Sequence, residues 1–343
     1  MRQGKKLALI ISLLAGLHAV VLGAGFFAPY DAAAQNRELP FAPPMRLHFL
    51  DERGNFHLRP FVYPVVPRTG SYTGYQEDRS RAFPVRFFVS GAPYSVAGLF
   101  RARLHLFGAD PPAEVFLFGT DGFGRDLFSR MLYGGQISLL AGLLAAGLSL
   151  ALGLVLGAVA GFYGGWADET LMRGAELFLA LPWLYLLFAI RAFLPLQIGP
   201  AQAFLLLIVV IGLIGWARPA RLVRGVVLSA RERDYVRAAK GFGATDIYLL
   251  RRHVLPQTFG VLLTQGAILV PQYILAEVTL SFLGLGVGEP VPSWGNMLAS
   301  LQQYYVLASY WWMFLPGFAL VPFFLGYSAL ANALHERVKA VLI

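Results

Sequence analysis

The sequence predicts an all-α polytopic membrane protein with about six transmembrane helices, and three observations carry that prediction. Hydrophobic residues make up 57% of the 343 positions and charged residues 14%, against roughly 45–50% and 25% in ordinary soluble domains. The apolar residues are gathered into long runs instead of recurring at helical or strand periods, as a lipid solvent requires. The formal net charge is +9, and Lys and Arg lie mostly between those runs, where membrane topology accounts for them better than a nucleic-acid partner does. Cysteine is absent, which excludes disulfides, thiolate catalysis and Cys-ligated metals.

Lys5 and Lys6 precede an apolar run over residues 7–28, long enough to cross a hydrocarbon core of about 30 Å. It exceeds the roughly 7–15 residues of a signal-peptide core. Residues 1–28 are therefore expected to form an uncleaved anchor helix, although Ala32-Ala33-Ala34 resembles a cleavage site. Residues 29–133 turn polar and rich in Pro and Arg, with short alternations such as Phe61-Val62-Tyr63 and Val85-Arg86-Phe87-Phe88-Val89. They read as an enlarged extracytoplasmic loop or small domain, partly β, between the first two spans. Loops beyond about 60 residues translocate largely regardless of charge, so these arginines do not set orientation.

Residues 134–343 read as the membrane core, with spans expected over 137–162, 177–196, 203–216, 259–283 and 310–334. Gly153, Gly157 and Gly161 fall on one helical face, where another helix can approach closely. Asp168, Glu169, Arg173 and Glu176 read as a charged turn between the second and third spans. Arg191 is placed at a helix end, snorkelling to the interface. Gly119 to Asp126 read as a turn, since they lack the carboxylate spacing of a calcium loop. Trp294, Tyr304, Tyr305, Tyr310, Trp311 and Trp312 suggest an aromatic belt. The six histidines are too dispersed for a metal site.

The polar loop over 217–258 carries Arg218, Arg221, Arg224, Arg231, Arg233, Arg237, Lys240, Arg251 and Arg252. The positive-inside rule makes it cytoplasmic, with both termini on that side. Ser229 and Glu232 have capping-box spacing, predicting a helix that Gly241 and Gly243 end. Thr245 then caps a second helix with Ile247, Leu250 and Val254 on one side, and Pro256 marks the join to the next span. Such a knob suits a groove in a soluble partner; a solvated loop that only fixes topology is the plainer alternative. Glu277, inside an apolar run, must face the bundle interior or stay protonated. It is either a pathway residue or a helix-to-helix hydrogen-bonding group.

Arg237-Ala238-Ala239, then Gly243, His253 and Leu255-Pro256 resemble the signature loop of permeases in binding-protein-dependent ATP-driven ABC importers. That loop reads Glu-Ala-Ala, three residues, Gly, nine residues, Ile, any residue, Leu-Pro. Arg237 replaces its Glu and His253 its Ile, departures similar to those of the dipeptide, oligopeptide and nickel branch. Further matches are Gly119-Thr120-Asp121-Gly122-Phe123-Gly124-Arg125-Asp126 with Ser129-Arg130, then Ser281-Phe282-Leu283-Gly284-Leu285-Gly286 and Pro292-Ser293-Trp294-Gly295. The loop before Glu114 is longer than usual there, and Leu334-His335-Glu336-Arg337 departs from the usual ending.

The resemblance implies a bacterial inner-membrane permease that imports peptides and hydrolyses nothing itself. Its implied partners are a second homologous permease, two ATP-binding subunits carrying ATP and Mg, and an extracytoplasmic substrate-binding protein. The implied ATPase-coupling residues are Tyr235, Arg237, Ala238, Ala239, Gly243, Asp246, His253, Leu255 and Pro256. Nickel chelates or sugars are alternative solutes. A membrane-embedded enzyme using Asp51, Glu52, His48 and His57 of the outer loop is the alternative from another class.

Overall fold

The computed structural model describes residues 2–51, 54–68, 74–96, 100–193, 195 and 198–342. Glu52 and the expected span end at Leu196 lie outside the described residues. The chain divides into two compact units, one of Met1–Ala15, Leu139–Leu280 and Val321–Ile343, the other of Gly16–Ser138 and Ser281–Leu320.

The helices in chain order are α1 (Arg2–Leu22), α2 (Ala24–Phe27), α3 (Leu127–Tyr163), α4 (Gly165–Ala180), α5 (Trp183–Phe193), α6 (Pro200–Ile214), α7 (Ala217–Arg231), α8 (Asp234–Gly241), α9 (Asp246–Leu249), α10 (Leu255–Phe282), α11 (Trp294–Ala299), α12 (Tyr304–Ser309) and α13 (Leu315–Leu342). Among the described residues, four stretches are long and apolar enough to cross a membrane alone: Gly4–Leu22, Leu127–Tyr163, Asp246–Phe282 and Trp311–Arg337. Two bent pairs, α4 with α5 and α6 with α7, raise the number to as many as six if each pair counts as one span.

The expected third span, over 177–196, is not a straight helix. It straddles the break of a pair bent by 93°, because Leu181 is extended at ψ 138° ahead of Pro182, whose ring disfavours α geometry in the residue before it. The expected charged turn at Asp168 to Glu176 is instead helical, the first three turns of α4. Arg191 does not snorkel to water: it is buried and its Nη1 donates to the Pro195 carbonyl at 3.1 Å.

In the first unit, α3 and α7 approach to backbone distance along the glycine face. A Cβ at Gly153 would fall 2.5 Å from Pro219, one at Gly157 2.4 Å from the Ala220 carbonyl, and one at Gly161 2.9 Å from that of Arg224. The close approach expected of this face is thus observed.

The second unit holds three small antiparallel sheets among its described residues. They are β1 (His48–Leu50), β2 (Phe56–Val62) and β5 (Phe83–Pro84) in the order β1-β2-β5, then β3 (Val65–Pro67) with β4 (Tyr75–Glu77), and the hairpin β6 (Arg86–Val96) with β7 (Phe100–Gly108). They close over Met45, Val62, Val65, Phe107 and Phe116. The same unit corrects the aromatic belt. Trp294 and Trp312 are buried, donating from Nε1 to the carbonyls of Met131 (2.9 Å) and Thr120 (3.2 Å), and Tyr310 is buried against Phe41 with rings stacked at 4.3 Å. A buried indole N–H needs an acceptor, and each finds one. Tyr304, Tyr305 and Trp311 are exposed.

Candidate functional site

The residues singled out in the polar loop fall on a small helical knob over one buried core. α7 runs through Ser229 to Arg231, with Glu232 as its C-cap. The expected capping box therefore does not form, since Ser229 is already inside a helix and Glu232 pairs with Arg237 instead. The break comes at Arg233, extended at ψ 139°, and α8 follows with Asp234 in its first turn, where the helix dipole favours a carboxylate.

α8 ends in a Schellman turn. The Ala244 amide donates to the Ala239 carbonyl at 3.1 Å and the Gly243 amide to that of Lys240 at 3.0 Å, with Gly243 at φ +88°. These are the paired bonds that satisfy a helix's last carbonyls, and they require a left-handed residue at this position. Ala238 accepts from the Phe242 amide at 3.0 Å. Thr245 then caps α9 as expected, its Oγ1 accepting from the Tyr248 amide, and Asp246 occupies the first turn. Lys240 lies 3.9 Å from Asp246, an exposed pair worth little.

From Leu250 to Val254 the backbone winds as a π-turn before α10. The wider turn carries the helix past Pro256, which has no N–H to donate. It also shifts the helical register, so the buried set is Leu249 and Val254 with Leu250 half-buried, while Ile247 is exposed. The expected Ile247–Leu250–Val254 stripe is corrected accordingly.

Beneath the knob, Val223, Val227 and Ala230 of α7 pack with Val236, Leu249 and Val254, and Ala239 and Leu255 flank them. His253 lies between the rings of Tyr235 and Tyr248, at 5.8 and 5.6 Å. Gln257 ties the group together, donating to the His253 carbonyl at 3.0 Å and to the Tyr235 hydroxyl. The outward surface carries Tyr235, Phe242, Ile247 and Tyr248, ringed by the exposed Arg233, Arg237, Lys240, Arg251 and Arg252. Phe242 is 93% exposed. Sequence reasoning missed it; the signal was an aromatic side chain between Gly241 and Gly243 with nothing local to pack on.

The knob is anchored to its neighbours by charge. Arg224 pairs with Asp168 of α4, and Arg231 Nη1 donates to the Phe162 carbonyl at the end of α3 at 3.0 Å. Glu277 is fully buried on α10 and is not brought to the knob: its 22-residue separation from Leu255 corresponds to roughly 33 Å of helix.

The Gly119 to Asp126 segment in the second unit is a locked turn, with Gly119 and Gly124 at φ +77° and +70°. Asp121 accepts from the amides of Phe123 (2.9 Å) and Arg125 (3.1 Å) and from Arg125 Nε (2.7 Å). Arg125 and Arg130 converge on Glu289 at 2.6 and 2.9 Å. Burial opposes ionisation of Glu289, but these two guanidinium groups prevail and hold its carboxyl below the usual range. Glu289 was also missed, since Asp121 and Asp126 in the same segment already offered carboxylates to Arg125 and Arg130 and nothing in the sequence pointed to a third from 159 residues away.

Of the residues proposed for outer-loop chemistry, the described ones form two separate pairs and not one cluster. His48 pairs with Glu77 and His57 with Asp51, each at 3.1 Å, and no metal-binding cluster occurs among the described residues.

Residues 153–340 match the family described as "Binding-protein-dependent transport system inner membrane component". The dipeptide transport system permease protein DppC of Bacillus subtilis is 37% identical over 233 residues, 68% of this chain and 71% of that protein. A peptide permease protein of Brucella suis is 39% identical over 226 residues, 66% of this chain and 73% of that one. Among solved structures, the MetNI methionine ABC transporter aligns with a TM-score of 0.47 and 19% identity over 62% of this chain and 95% of its own. The chain therefore belongs to the binding-protein-dependent inner-membrane component family and is a multi-pass permease subunit of an ABC importer, a transport component and not an enzyme.

Proposed function

We propose that this permease imports peptides delivered by an extracytoplasmic binding protein, and that the knob from Tyr235 to Pro256 is where a partner ATPase grips it. The peptide assignment is supported by the relatives, which are a dipeptide permease and a peptide permease. The observation that carries the coupling reading is the exposed apolar set Phe242, Ile247 and Tyr248 held on a helix–turn–helix that packs over a buried core. An amphipathic helical surface of this kind is completed by a hydrophobic groove.

In this reading the knob faces the cytoplasm, the loop between α1 and α3 faces outward, and ATP with Mg binds to two partner subunits. A second permease completes the pore. An apolar groove of about 1000 Å³ lined by Leu222, Val226, Val261, Leu263 and Leu334 suits a helix of that subunit. Leu255 and Pro256 start the helix that carries knob movement into the membrane, and Glu277 on that helix is the candidate pathway residue.

The test is affinity purification of the detergent-solubilised chain from cells expressing its neighbouring genes, with subunit identification and an ATPase assay. Co-purifying ATPase activity that falls at least tenfold with Phe242→Asp, the variant itself remaining monodisperse, is the expected result. Undiminished ATPase recovery with Phe242→Asp and with Ile247→Asp would overturn the coupling role.

A further inference from the structure

The β6–β7 hairpin lies against the end of the first apolar span. The apolar run that begins at Leu7 continues through Phe26, Phe27 and Ala28, so these residues mark the level at which the chain leaves the hydrocarbon. The hairpin is fastened at that level by three contacts within the second unit. The Tyr94 ring is pressed on Gly25, where a Cβ would fall 2.1 Å from it. His105, buried, sets Nδ1 2.6 Å from the Ala28 carbonyl and Nε2 2.9 Å from that of Ala92. Phe88 meets Phe26 at 6.4 Å between ring centroids.

A hairpin held there displays an unusual surface for a water-facing strand pair. Phe88 and Phe100 are 64% and 60% exposed, with Phe87 and Leu104 also exposed. Arg101 and Arg103 alternate with Phe100 and Leu104 along β7 and are exposed too, while Arg86 is engaged with Asp110 at 2.6 Å. Exposed aromatic residues interleaved with arginines at the depth where a span ends are the composition of a membrane interface, the rings entering the headgroup boundary and the guanidinium groups meeting lipid phosphates.

We propose that the β6–β7 hairpin is a lipid-binding element that lies on an anionic bilayer surface beside the first span, with Phe88, Phe100 and Leu104 of one strand face inserted at the interface and the long side chains of Arg101 and Arg103, on the opposite face of the narrow two-stranded ribbon, reaching around it to lipid phosphates. Continuity with the lipid-facing span selects this occupant over a soluble protein, and the basic side chains select anionic over zwitterionic headgroups.

The native chain has no cysteine, so single spin labels at Phe88→Cys and Phe100→Cys report depth directly. In nanodiscs containing phosphatidylglycerol, the ratio of oxygen to nickel-chelate accessibility is expected to be several-fold above that of the free label in water. It should drop toward the water value in phosphatidylcholine discs, and Arg101→Glu with Arg103→Glu should abolish the difference between the two lipids. Hydrogen exchange of the unlabelled wild-type chain provides a check free of substitution, with slower exchange of the hairpin amides expected in phosphatidylglycerol discs. Labels as accessible to the nickel chelate as in water would overturn the proposal, as would accessibility and exchange that are equal in the two lipids.

Discussion

Gly243 and Asp126 show how much a single backbone or side-chain position can decide. Nothing lies within 4 Å of a Cβ built on Gly243, so its requirement for glycine is conformational, set by φ +88°. Gly243→Ala is expected to weaken the turn by about 1–2 kcal/mol, the left-handed penalty for an ordinary residue, and Gly243→Asn by less. Limited proteolysis of the loop in the purified chain checks that order. Cleavage of the alanine variant no faster than that of the asparagine variant would contradict it.

Asp126 caps α3, its Oδ2 accepting from the Ser129 amide at 2.8 Å and hydroxyl at 2.6 Å, while its Oδ1 finds no hydrogen-bond partner among the described residues. Burial pushes its carboxyl up from 3.8 to about 7, with the Ser129 hydrogen bonds opposing. A carboxyl raised on folding contributes stability below its unfolded value, and that contribution is lost as pH rises through the folded one. A rise of about three pH units is worth on the order of 4 kcal/mol. Asp126→Asn keeps a good helix cap and removes the charge. It is expected to raise the unfolding temperature at pH 8 and leave it nearly unchanged at pH 4, as measured by thermal unfolding in detergent.

At the scale of elements, the α3–α7 seam is the part of the fold most legible in the sequence. Three glycines at four-residue spacing state that a second helix comes within backbone reach, and α7 does. Gly157→Ala places a Cβ 2.4 Å from the Ala220 carbonyl, and such overpacking costs typically 1–3 kcal/mol. A lower aggregation temperature by fluorescence-detected size exclusion is the expected result, whereas Gly147→Ala, with nothing within 4 Å, should be silent. The Arg224–Asp168 pair between α7 and α4 makes a second claim at this scale. Arg224→Asp should destabilise the chain and Asp168→Arg in the same protein should restore part of the loss, which a lone surface charge would not do.

Other elements were not legible, for identifiable reasons. The π-turn at Leu250–Val254 adds a residue to one turn, and a helical period counted along the sequence cannot register the extra residue; hence the misplacement of Ile247. The 93° bend at Leu181 was signalled only by Pro182 within an apolar run, where hydropathy alone reads straight through. Ser229 and Glu232 had the spacing of a cap, but α7 had already started at Ala217, so the tertiary core of Val223, Val227 and Ala230 overrode a local signal. In the site itself, the spacing of Ala238, Ala239, Gly243 and Pro256 was readable. Phe242 carried only a weak local signal, between two glycines, and Glu289 of the second unit carried none, since their importance lies in what surrounds them in space.

For the whole molecule, the distribution of basic residues makes a topological prediction that the cysteine-free sequence makes simple to test. Phe242→Cys should react with a membrane-impermeant maleimide only in inside-out vesicles, and Leu58→Cys, in β2, only in right-side-out ones. Labelling of both from one side would require that one of the two bent helix pairs does not cross, and would move the knob away from any cytoplasmic ATPase.

The exposed aromatic and aliphatic side chains of the knob also bear on the life of the subunit in the cell. Phe242, Ile247 and Tyr248 are the kind of surface that chaperones and quality-control proteases recognise, and in the proposed complex they are hidden only once the subunit has found its partner. An orphaned copy thus advertises its own incompleteness. Its half-life in a pulse-chase experiment should shorten when the ATPase genes are deleted and recover with Phe242→Ser, so that the abundance of the permease follows the supply of its motor without a dedicated regulator.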